Sequence, residues 1–278
     1  MEVLNISAQP VDLQGVSFGS GLTTRAIIGG VRELAPGARA LYVAEGEAFV
    51  MRYGAGLPIA GEFILGSNLS NDGERLTLLA SDSSQIVNLV YGINAPWPST
   101  DGKSIVLMNP ATSDASTGSN WRQSTAANGA PALDDRLRYS AWQVLHFPTD
   151  EPGSAVDGAP RADPDGDGLE NLTEFFFGSS PRYSTHHSVL PAVAQFPAVS
   201  DGVEQVYPGF SFRYLRAAEE VAFVPETSAD LGVWGQEGLM LSGAPIDHGD
   251  GTESRSYRSI QPLRAGDRRF FRLRLELR

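Results

Sequence analysis

Glycine and proline punctuate this chain from end to end, 30 and 18 of them in 278 residues, and leave little room for any long element. Punctuation of that density suits short strands joined by many turns. Between the breaks, residues 3–6, 11–18, 40–44, 76–79, 86–90 and 105–108 are rich in Val, Ile, Leu, Phe and Tyr and read as strands. Asn71-Asp72-Gly73 and Thr100-Asp101-Gly102 place glycine where a turn needs positive φ. A short helix fits 45–53, ahead of Gly54. The pattern predicts a β-sandwich with Phe18, Tyr42, Phe49, Trp97 and Trp121 as candidate core aromatics.

After residue 132 the composition changes. Residues 134–147 carry Leu137, Ala141, Val144 and Leu145 at helical spacing behind Asp134 and Asp135, which predicts a helix. A Gly/Pro/Asp-rich stretch follows, then a second short helix over 171–177 that Gly178 and Pro181 should stop. Residues 182–205 read as a linker and lead-in strand. Strand patterning then returns at 210–215, 221–227, 253–260 and 269–277. The last alternates cleanly, with Phe271, Leu273, Leu275 and Leu277 on one side and Arg272, Arg274, Glu276 and Arg278 on the other. The expected fold is mostly β, with sandwiches over 1–132 and 183–278 joined by a short helix–loop–helix segment over 133–182. Both sandwiches are expected to fold without help from that segment.

The segment holds the sharpest motif in the chain. Residues 163–174, DPDGDGLENLTE, match the calcium-loop template D-x-[DN]-x-[DN]-G-x5-E in full. Asp163, Asp165 and Asp167 supply side-chain oxygens at positions one, three and five. Gly168 allows the sharp turn at six, and Leu169 offers its carbonyl at seven. Asn171 at nine suits a water-mediated contact, and Glu174 at twelve closes the shell. Hard oxygen ligands in this number favour Ca2+ over Mg2+. A solvated acidic turn would not require Glu174, and three carboxylates in one turn repel each other without a cation. Residues 158–162 leave no helix leading directly into the loop, so a paired, opening sensor is disfavoured. Solitary loops of this type bind at about 10^-4–10^-3 M, a range that calcium outside the cytoplasm would fill.

Charge and composition narrow the partners. A net charge of -12 and a pI near 4.8 repel phosphate backbones and argue against nucleic acid. There is no cysteine, so disulfides, thiolate zinc sites and cysteine nucleophiles are excluded. No apolar run approaches the ~18 residues of a membrane span. Residues 1–15 lack the basic start and apolar stretch of a signal peptide, so an export signal is expected outside this chain.

The segments EVLNIS, VDLQGVSF, LAPGARALYVAE, FVMRYG, LSNDGERLTLL, APWPSTDGKSIVLMNP and SNWRQS fall in the order and spacing of a bacterial lamin tail domain, which residues 1–132 resemble. That resemblance implies an immunoglobulin-like β-sandwich. YSAWQVLHF and DPDGDGLENLTEFFFGSSP resemble the single EF-hand-like, or thrombospondin-type-3-like, calcium loop that often follows such domains in exported bacterial proteins. FSFRY, ETSADLGVW, HGDGTE and RRFFRLRLEL resemble the sandwich module that often ends those chains. The family usually has a further strand before the segment matching EVLNIS, so this chain is expected to be the C-terminal part of a longer protein. The resemblance implies a non-catalytic protein of the cell envelope or exterior and carries over no catalytic residues.

Enzyme signals are sparse. No G-x-S-x-G elbow, P-loop or H-E-x-x-H occurs. His186 and His187 are neighbours, which point oppositely on an extended chain and suit an exposed linker better than a shared metal. Residues 247–251, DHGDG, lack the spaced acids of a metal loop and read as a hairpin turn. The arginines of 264–278 read as an exposed sheet face, and Trp234 as a core or corner residue. The expected function is a non-catalytic, calcium-stabilised cell-surface or secreted structural or adhesion module, with a protein or glycan partner. The alternative is the C-terminal targeting or substrate-binding portion of a larger exported enzyme, kinase-like or hydrolytic.

Overall fold

The computed structural model describes residues 1–99, 102–184, 189–200, 202–264 and 266–278. Thr100, Asp101, His186 and His187 lie outside the described residues. The chain divides into two compact units, Met1–Asp135 and Arg136–Arg278, and both are mostly β.

In the first unit β1 (Glu2–Leu4), β2 (Val11–Asp12), β3 (Ser17–Ser20), β4 (Thr24–Ala26), β5 (Glu33–Leu34) and β6 (Arg39–Val43) lead to the helix α1 (Gly46–Tyr53). Then come β7 (Ile59–Phe63), β8 (Glu74–Leu79), β9 (Gln85–Tyr91), β10 (Lys103–Leu107) and β11 (Trp121–Ala127). They form sheets in the orders β1-β6-β7-β4 and β3-β8-β9, with pairs β2-β5 and β10-β11. The expected strand over 11–18 is two strands, because the Val16 N–H donates to the Leu13 carbonyl and turns the chain between them. Strands β6 and β7 run parallel, and α1 supplies the crossover that a parallel pair needs. Tyr42 is buried with Leu34, Ala40 and Ala60, and Phe18 meets its ring edge-on at 5.2 Å. Phe49 packs on Leu41, Val43 and Ile59, and the Trp97 and Trp121 rings lie 5.8 Å apart.

The second unit contains α2 (Tyr139–His146), α3 (Ser154–Asp157), α4 (Asn171–Phe177), β12 (Ala192–Ser200), β13 (Val203–Leu215) and β14 (Val221–Ser228). Strands β15 (Leu239–Leu241), β16 (Ile246–Asp247), β17 (Thr252–Ser259) and β18 (Phe270–Leu277) complete it. One sheet runs β12-β13-β17-β15 with β16 also on β17, and β14 pairs with β18. Phe210, Phe212 and Tyr214 of β13 and Val221 of β14 share a core with Leu172, Phe175, Phe176 and Phe177 of α4. Phe271, Leu273 and Leu275 of β18 pack against it, while Arg272 and Arg274 turn to Glu226. The alternation read from β18 is realised for Phe271, Leu273 and Leu275, whereas Leu277 is exposed, and residues 247–251 form the β16–β17 hairpin.

Two expectations need correction. The segment 133–182 is not a separate joining module, because from Arg136 onward it contributes to the core of the second unit. The helix expected over 134–147 begins only at Tyr139. The Arg122 guanidinium donates to Asp135 Oδ2 at 2.6 Å in a buried pair, and the Leu137 N–H donates to the Ala217 carbonyl, so residues 135–137 are held by long-range partners. Val144 and Leu145, expected on the apolar face, are exposed; Tyr139 is buried, and Trp142 packs against the core in their place.

Candidate metal centre

Residues 163–170 form a loop whose two ends are tied by the main chain. The Asn171 N–H donates to the Ala162 carbonyl and the Leu172 N–H to the Pro160 carbonyl, both at 2.9 Å. A side chain reinforces the closure: fully buried Asn171 donates Nδ2 to the carbonyls of Asp157 at 2.6 Å and Ala159 at 2.8 Å. The ends of the loop are thereby fixed to α3 and α4.

Inside the loop the aspartates organise the backbone. Asp163 accepts from the N–H groups of Asp167 at 3.2 Å and Gly168 at 2.9 Å. Asp165 accepts from Asp167 N–H at 3.2 Å, and Asp167 accepts from Leu169 N–H at 2.9 Å. Gly168 has φ +90, a conformation that side-chain-bearing residues rarely adopt, which explains glycine at position six. The result brings carboxylate oxygens of Asp163, Asp165 and Asp167 within 4.8 Å of one another.

Glu174 arrives from α4, one turn beyond the loop, and is completely buried. Its Oε1 accepts from Ser179 Oγ at 3.3 Å, whereas Oε2 has no hydrogen-bond partner. Asp165 Oδ2 and Asn171 Oδ1 are also buried without partners. Burial first, and then the charges of Asp165, Asp167 and Asp163, push the Glu174 carboxyl up to about 8. Burial first, and then the charges of Asp167 and Asp163, raise the Asp165 carboxyl as well. A buried acceptor with no donor is costly unless a donor or a cation meets it.

This donor set fits calcium: hard oxygens, excess negative charge and buried lone pairs that the protein leaves unsatisfied. Asp163, Asp165, Asp167 and Glu174 would hold the ion by their carboxylates and Leu169 by its carbonyl, to which no hydrogen bond is seen among the described residues. Asn171, read from the sequence as a water-mediated ligand, has the additional task of tying Asp157 and Ala159 to α4. That task and the Ser179 contact were missed, since both depend on residues flanking the motif. The one flanking signal was Gly178, where the left-handed turn returns the Ser179 N–H to the Glu174 carbonyl.

Among the described residues the other candidates do not assemble into a second cluster. His248 Nε2 lies 2.8 Å from Ser254 Oγ in the β16–β17 hairpin, and the His146 ring lies 4.8 Å from that of Trp142, tilted by 50°. Asp247 pairs with Arg216 and Asp250 with Arg213, which neutralises the acids of the 247–251 turn. Trp234 lies beneath the Arg272 guanidinium, 4.3 Å from its ring centre. Among the described residues no helix is long and apolar enough to cross a membrane. No protein-family model, no curated protein and no solved structure matches the chain.

Proposed function

We propose that residues 163–174 bind one calcium ion and that the chain is a non-catalytic structural or adhesion module of the cell surface or exterior, with a protein or glycan partner. Glu174 carries the reading: a fully buried carboxylate with an unpartnered oxygen, set against three aspartates whose charge it feels. When bound, calcium supplies positive charge and coordination for these oxygens. The chain's own residues do the rest: the loop backbone orients the aspartates, Asn171 holds the loop ends together, and α4 delivers Glu174 from the core side. The resemblance of residues 1–132 to lamin tail domains supports the structural role and the location outside the cytoplasm. A site of about 10^-4–10^-3 M affinity would be filled there.

Titration calorimetry of calcium into chelator-treated protein is the test. A single site is expected, and Glu174→Gln should weaken it by about ten-fold or more, on the order of 1.4 kcal/mol. Absence of binding heat at millimolar calcium refutes the metal reading. Reproducible turnover abolished by mutating one carboxylate or histidine outside the loop refutes the non-catalytic reading.

A further inference from the structure

We propose that occupancy of the 163–174 loop is coupled to the hydrophobic core of the entire second unit, so that calcium stabilises the β-sheets of Arg136–Arg278 and not the loop alone. The inference rests on the calcium reading above and extends it from local order to the fold.

The coupling element is α4. It has only seven residues, far below the length at which a helix holds its shape unaided. Its order comes from its surroundings, and six of the seven residues are buried. Those residues serve two masters. Glu174 lies near enough to the aspartates to feel their charge, while Leu172, Phe175, Phe176 and Phe177 fill the core. The Phe176 ring stacks on Tyr214 of β13 at 4.9 Å and meets Phe223 of β14 at 5.6 Å. Phe175 meets Tyr139 edge-on at 5.4 Å and Trp142 at 5.7 Å. One short helix therefore touches strands of both sheets and α2. Its start is pinned by Asn171 and Leu172 to Ala162 and Pro160, and its end is closed by Gly178 and Ser179, which donate back to the Glu174 carbonyl.

This placement decides what an unfilled site does. An acidic loop on the surface can relieve repulsion by swinging its side chains into water. Glu174 has no such exit into water, because it is completely buried on a helix whose start is pinned, and its Oε2 has no hydrogen-bond partner there. Bringing that unpartnered oxygen to solvent requires α4 to lift, and Phe175, Phe176 and Phe177 lift with it. The sequence alone suggested that both β units fold independently of metal; the shared core of α4 and the sheets argues otherwise for the second.

Hydrogen exchange on the full chain, in chelator and in calcium at about a hundred times the Kd, tests this, with binding heat measured in parallel. Amides of β13 and β17 that exchange by unfolding of the unit should slow by roughly a hundred-fold with calcium, the factor set by linkage, while β6 and β8 stay unchanged. Asp163→Ala, at an exposed loop position, should remove the effect without touching the core. Calcium binding with protection confined to residues 158–179 overturns the coupling and leaves the calcium reading intact. Absence of binding overturns both.

Discussion

Glu174 shows how one residue sets the pH behaviour of the site. Its carboxyl sits at about 8 in the metal-free fold against an ordinary 4.5, raised by burial and then by the neighbouring aspartates. The fold thus retains a proton that the unfolded chain gives up across that interval. The stability this group confers on the metal-free protein is complete below about pH 4.5 and is lost as the pH climbs towards 8. Asp165 shifts in the same direction. Calcium needs the carboxylates ionised, so its affinity should rise with pH through the same window. At pH 7 binding should expel close to one proton. Calorimetry in two buffers of different ionisation enthalpy measures this release, and Glu174→Gln should reduce it sharply. Identical heats in both buffers for the unmutated chain would rule the mechanism out.

Among the elements, α4 carries the clearest mechanical prediction. Phe176 is 1% exposed and packs on Tyr214, Phe212 and Phe223. Phe176→Ala should destabilise the second unit by about 3–5 kcal/mol in chemical denaturation. A loss below about 1 kcal/mol would mean that the helix is a passenger on the sheets. The helix was legible in the sequence because its signals are local: an acidic loop before it, Gly178 after it, and apolar residues between. Gly178 has φ +78 and its Cα region abuts the Leu215 side chain, so both conformation and space call for glycine there. The start of α2 was not legible, because Asp135 looks like a helix-opening residue until Arg122, 13 positions earlier, claims its carboxylate. Strand β11 hid for a related reason. Arg122, Gln123 and Ser124 are buried polar residues, and their burial depends on partners such as Asp135 and Ser99 that no periodicity announces.

For the molecule as a whole, the chain's division at Asp135 and Arg136 predicts two unfolding events. Scanning calorimetry should resolve two transitions, with calcium raising the midpoint of only one. A single transition that moves as a body with calcium would show the units to be energetically inseparable. The mostly-β character could be read from Gly and Pro spacing, since each break is a local event. The acidic cluster was equally readable, because Asp163, Asp165 and Asp167 lie within five residues of one another in sequence. Membership of the loop segment in the second unit could not be read in this way. Phe175, Phe176 and Phe177 announce that they will be buried, but only the folded chain shows that Phe210, Phe212 and Tyr214 bury them.

The interleaving of proposed ligand residues and core residues on α4 also limits how this stretch can vary by descent. One residue inserted between Asn171 and Glu174 would rotate everything beyond it by about 100° about the helix axis. Glu174 would swing away from the aspartates while Phe176 turned off Tyr214 and Phe223 and Phe175 off Tyr139 and Trp142. Substitutions can be repaired one at a time, but a change of length here damages the proposed ion site and the core in a single step. Residues 163–178 should therefore keep a fixed length across related chains, even where the turns between the strands grow and shrink.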